Sequence, residues 1–152
     1  MSFRSLNVDQ YESDFLREED LFPPRETPAD EVNQQVAAVV DQARSAISGG
    51  NAAASLPAFL SDPPYGYDVE EAKSQFLAAF LDVLSNIRLS DIPDLLKSLS
   101  VDQHTYLMNY IYKGLAEPAK YNSAVLLNWH QKLVEIAGVG CIVRVLNSRP
   151  DL

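Results

Sequence analysis

From Thr27 to Leu146 the apolar residues recur at the three- and four-residue steps of an α-helix, and that period governs what the chain can build. Val32, Val36, Val39, Val40, Ala43 and Ile47 form one stripe that Gly49-Gly50 closes, predicting a helix over 29–48. Asn51 is placed to cap a short second helix to about residue 60, with Pro57 in its first turns and Asp62-Pro63-Pro64 as its stop. Asp68 and Glu71 have capping-box spacing ahead of a third stripe: Val69, Ala72, Phe76, Phe80, Val83, Leu84 and Ile87. Ser90 is read as the cap of a short fourth helix carrying Leu95, Leu96 and Leu99. Ser100 and Gln103 make a second capping box, opening a helix expected to end near Gly114. Ser123 starts another, which closes at Gly138. Residues 141–146 are rich in β-branched side chains, yet a lone strand there would have nothing to pair with, so a last helix is favoured. No Asn-Gly or Asp-Gly hairpin turn separates alternating segments. The expectation is an all-α body over 29–152, a compact bundle or α-α superhelix of about six to seven helices joined by short turns.

Residues 1–28 differ from this body and are expected to form an extended acidic N-terminal arm. Residues 1–31 hold nine acids and three Arg, a large part of the chain's net charge of −9. The arm also carries Phe3, Leu6, Val8, Tyr11, Phe15, Leu16 and Phe22, too many large apolar groups for a purely solvating linker. Such anchors suit folding onto a partner, or packing against the chain's own body; composition favours the partner.

A surface helix normally buries a stripe a little over 100° wide, and the later helices exceed it. Between His104 and Leu115 the apolar side chains sweep about 240°, leaving Thr105, Asn109 and Lys113 as the polar face. In the next helix Val125, Leu126, Leu127, Trp129, Leu133, Val134 and Ile136 cover about 200°, and in the last only Arg144 and Asn147 interrupt the apolar surface. These helices either form the centre of the bundle or present a docking face; a chain of 152 residues is too small to hide three such helices completely, so both together are expected. Tyr110, Tyr112 and Trp129 suit that boundary, being large, amphipathic and tipped with a polar group.

Catalytic and cofactor chemistry finds little support. His104 and His130 lie within apolar arcs, and Cys141 sits in an apolar run that would raise its pKa. One cysteine allows no internal disulfide, and with two distant histidines it makes no zinc site. Gly138-Val139-Gly140 lacks the strand and third glycine of a dinucleotide fingerprint. The acidic balance argues against nucleic acid, which is bound through clustered Lys and Arg. No apolar stretch approaches a membrane span, and the start, Met-Ser-Phe-Arg-Ser, is not an apolar leader. The sum predicts a soluble intracellular protein of a reducing compartment, with no enzyme activity, no cofactor, no nucleic-acid partner and no membrane partner.

Three tracts, Tyr110-Ile-Tyr-Lys-Gly114, Leu126-Leu-Asn-Trp-His130 and Gly138-Val-Gly-Cys-Ile-Val-Arg-Val-Leu146, resemble the subunit 5 family of the actin-related protein 2/3 complex in order and spacing. Phe3-Arg4, Val8-Asp9 and Tyr11 resemble the amino end of the same family, whereas Pro23-Pro24, Pro57 and Pro93 depart from it. The resemblance implies a small helical subunit, without an active site, of the cytoplasmic assembly that nucleates branched actin filaments. It implies a body docked on subunit 4 near the β-propeller subunit 1, and an arm reaching the actin-related protein 2 subunit through Phe3, Val8, Tyr11 and Phe15. The helical wheel assigns Tyr110, Tyr112, Leu127, Trp129 and Arg144 to the docking face of the body. The competing reading is a free-standing helical adaptor that binds short peptide segments.

Overall fold

The computed structural model describes residues 27–66 and 68–147, and among them every regular element is helical. Seven α-helices follow one another: α1 Ala29–Ser48, α2 Leu56–Ser61, α3 Glu70–Asn86, α4 Ile92–Ser98, α5 Val101–Ala116, α6 Ser123–Ala137 and α7 Gly140–Asn147. A 3-10 turn, Ala52–Ser55, leads into α2. The helix expected over 29–48 forms with those bounds, and the β-branched segment after Gly138 is helical rather than extended. The arm lies outside the described residues.

Local chemistry sets the ends of these helices. At α5, Ser100 Oγ accepts from Gln103 N at 3.2 Å while Ser100 N donates to Gln103 Oε1 at 2.9 Å, the reciprocal box its spacing predicted. Asn122 Oδ1 accepts from Ala124 N at the start of α6. Gly138 closes α6 at φ +73°, a conformation that strains any side chain bearing a Cβ. Pro57 and Pro93 sit in the first turns of α2 and α4, where the missing N–H leaves no helical bond unmade.

Other caps differ from expectation. Glu70 opens α3, and no side chain caps it, so the Asp68–Glu71 box does not form. The neighbouring Val69 is 2% exposed, and seating that side chain in the core moves the helix start past the position the box requires. Asp91, not Ser90, precedes α4, and Ser90 Oγ donates to the Asp91 carboxylate instead. Asn51 makes no capping bond.

The core is built around α3 and α5. Phe59 of α2 packs edge-on against Phe76 with ring centroids 4.9 Å apart, and Tyr110 of α5 lies against Phe76 and Phe80. α1 covers α3, while α5 touches α2, α3, α6 and α7. This central position accounts for the wide apolar arc of α5: His104, Leu107, Met108, Asn109, Tyr110 and Ile111 are all buried. The helix also runs past Gly114, its expected end, to Ala116. A Cβ at Gly114 would lie 2.7 Å from Leu81 Cδ1 and 2.8 Å from Leu126 Cδ1, so this glycine is a close-packing point where α5 meets α3 and α6.

Candidate docking surface

α7 lies against α5 and runs back along it: Cys141, at the start of α7, sits beside Tyr112, whereas Arg144, farther on, donates from Nε to Thr105 Oγ1 at 3.0 Å. Asn109, one turn from both Thr105 and Tyr112, is 9% exposed, so the side of α5 read as its polar face is covered where the last helix lies against it.

The inner side of α7 is Cys141, fully buried with its thiol donating to Gly138 O, together with half-buried Ile142 and Val145. Its opposite side is apolar and open. Val139 just before the helix, then Val143 and Leu146, are 64%, 51% and 76% exposed, and their spacing of four and three residues puts them on one face. Those three residues make a continuous stripe rather than scattered exposure. Val101, at the start of α5, is also exposed, and the reversed run of α7 brings the Leu146 end toward it.

The residues assigned to the docking face by helical wheel separate into two groups. Leu127 and Arg144 are exposed, and Tyr112 is half-buried. Tyr110 and Trp129 are in the core, 2% and 0% exposed, which corrects their placement on the surface. Trp129 Nε1 donates to Leu84 O at 3.1 Å, one of the carbonyls left without a helical partner at the end of α3. Leu127 shares its face of α6 with Gln131 and Glu135, so it stands among polar groups. There Lys132, with Gln131, holds the Glu135 carboxyl below the usual carboxylate range. The proposed arm anchors Phe3, Val8, Tyr11 and Phe15 lie outside the described residues.

Val139, Val143 and Leu146 were not named from the sequence, although their i, i+4, i+7 spacing was the available signal. What the spacing does not say is which side of α7 the rest of the body covers.

The histidines serve packing. His104 Nε2 donates to Leu96 O at 2.8 Å, tying α5 to α4, and His130 Nε2 shares a 3.1 Å hydrogen bond with the Tyr112 hydroxyl. Burial, then the neighbouring Cys141, pushes the Tyr112 phenol above its ordinary pKa. Among the described residues no group of three or more His, Cys, Asp or Glu is placed to hold a metal ion, and no helix is long and apolar enough to cross a membrane.

A family model described as "ARP2/3 complex 16 kDa subunit (p16-Arc)" matches residues 2–152. The chain belongs to this family. It is 39% identical over 148 residues to actin-related protein 2/3 complex subunit 5-C of Xenopus laevis, covering 97% of this chain and 92% of that one. It is 31% identical over 150 residues to subunit 5 of Saccharomyces cerevisiae, covering 97% and 96%. The subunit 5-like protein of Homo sapiens is 36% identical over 100 residues, 66% of this chain and 65% of its own. The p16-Arc match spans the N-terminal arm, all seven described helices and the open face of α7.

Proposed function

We propose that this chain is a non-catalytic subunit of the actin-related protein 2/3 complex, the assembly that nucleates branched actin filaments in the cytoplasmic actin cytoskeleton. The observation that carries the reading is the open stripe Val139, Val143 and Leu146 on a member of the p16-Arc family. Exposed apolar side chains aligned along one helix gain free energy when a neighbouring chain covers them. The relatives at 39% and 31% identity carry names that place them in that complex.

In this reading the body docks through the outer face of α7, with Arg144 beside it, on subunit 4 and near the β-propeller subunit 1. The arm, through Phe3, Val8, Tyr11 and Phe15, tethers the actin-related protein 2 subunit. A tether on a docked body raises the local concentration of its anchors at the second subunit without requiring a larger interface.

The test is to purify the tagged full chain from its native cells and quantify what accompanies it. One large assembly with the actin-related subunits in equal ratio to the chain is expected. A chain recovered as a monomer would favour the free-standing adaptor and end the subunit reading.

A further inference from the structure

A cleft of about 310 Å³ opens between α1 and the turn that follows α2. Its buried lining is Val32, Val36, Pro64 and Phe76, and half-buried Val39, Ala58, Pro63 and Tyr65 bring apolar surface within reach from outside. Besides the Tyr65 hydroxyl, the polar lining is Thr27, Gln35 and Asp62, and the last two are exposed. Asp62 makes no ion pair with a described residue. The cleft is also where the chain joins the body. Thr27 lines it, and the next residue, Pro28, is held at the start of α1 because its carbonyl accepts from Glu31 N and Val32 N.

The residues that lead into Thr27 are Phe22-Pro23-Pro24-Arg25-Glu26. Five residues span at most about 18 Å, so the Phe22 ring is tied close to an apolar cleft of its own chain, at a high local concentration. Phe22 is the aromatic residue of the arm nearest in sequence to the cleft, and Arg25 carries the charge that Asp62 lacks a partner for. We propose that the root of the arm folds back on the body, with the Phe22 ring seated among Val36, Val39, Ala58 and Pro63 and Arg25 paired with Asp62. Burying a ring favours the seat, and ordering the five linking residues opposes it; Pro23 and Pro24 lower that opposition because their backbones have less freedom to lose. The balance is a shallow seat, with the docked form about threefold in excess of the free one. It adds little to the stability of the body, and it opens readily when the rest of the arm is engaged elsewhere.

Trypsin reads the seat in the full chain, because cleavage after Arg25 follows the fraction of the chain in which the root is free. Each rate is divided by that of a free peptide of the same sequence, which removes any effect of the substitution on the protease itself. Phe22→Ala is expected to raise the normalised rate after Arg25 about fourfold and to leave cleavage after Arg17, outside the seat, unchanged. Nuclear Overhauser contacts from the Phe22 ring to the methyl groups of Val39 and Ala58 are expected in the same full chain. Equal normalised rates after Arg25 in parent and variant, or a Phe22 ring without contact to those methyl groups, overturns the proposal. A sample mixing two isotope labels shows whether the contacts join different molecules; contacts between molecules would assign the cleft to a second copy of the chain and overturn the intramolecular seat. None of these outcomes bears on whether the chain belongs to a larger assembly, so the subunit reading stands or falls separately.

Discussion

Trp129 and Tyr110 are both large aromatic residues with a polar tip, and such residues satisfy the requirements of an interface and of an interior equally well. The helical wheel puts them on the apolar arc but does not say whether that arc meets this chain or another. What decides Trp129 is the Leu84 carbonyl, 45 residues away and freed by the end of α3, which accepts the indole N–H. The signal was absent locally because the acceptor becomes adjacent only once α6 packs on α3. Trp129→Ala is therefore expected to destabilise the isolated chain by about 3–5 kcal/mol, through an unfilled core volume and an orphaned carbonyl. Urea unfolding of the purified chain measures it, and a midpoint close to that of the parent would place the indole outside the core.

Helices were legible where their determinants lie within one or two turns. The span of α1 and the Ser100–Gln103 box of α5 depend on neighbours in sequence, and both form as read. The Asp68–Glu71 box fails because burial of Val69, a tertiary demand, outweighs a cap that contributes about 1 kcal/mol. Gly114 reads as a helix end for the same reason in reverse: its use is the approach of Leu81 and Leu126 from two other helices, which no local pattern records. α7 shows the consequence for function. Its period fixes a face containing Val139, Val143 and Leu146, but only the position of α5 reveals that this face is the open one. Val143→Asp should thus change the stability of the isolated chain by no more than about 0.5 kcal/mol, as exposed substitutions do, while weakening its incorporation into the complex. Competitive co-purification of parent and variant chains reads the second effect; equal incorporation would show that the outer face of α7 is not the docking surface.

At the scale of the molecule, charge and apolar surface are unevenly placed along the chain. Residues 1–31 carry nine acids against three Arg, whereas the helical body is milder and has its apolar excess on its last helix. The three wide apolar arcs resolve differently: α5 is central and α6 buries Leu126, Trp129 and Leu133, so only α7 retains an open stripe. In the proposed arrangement, docking through that stripe leaves residues 1–28 for a second site, and a chain of 28 residues, if fully extended, spans at most about 100 Å. Anchoring at that second site lowers the loss of a bound subunit in proportion to the effective concentration the tether supplies. Removing residues 1–25 should leave the helical content and thermal midpoint of the body close to those of the full chain, since the core that α1 to α7 build among the described residues runs from Val32 to Cys141. The truncated complex should lose its actin-related protein 2 subunit faster on dilution and nucleate filaments more slowly. Subunit ratios after gel filtration at falling concentration, together with polymerisation kinetics, read both effects; a truncated complex that matches the parent in retention and in rate would show that the arm is not a tether.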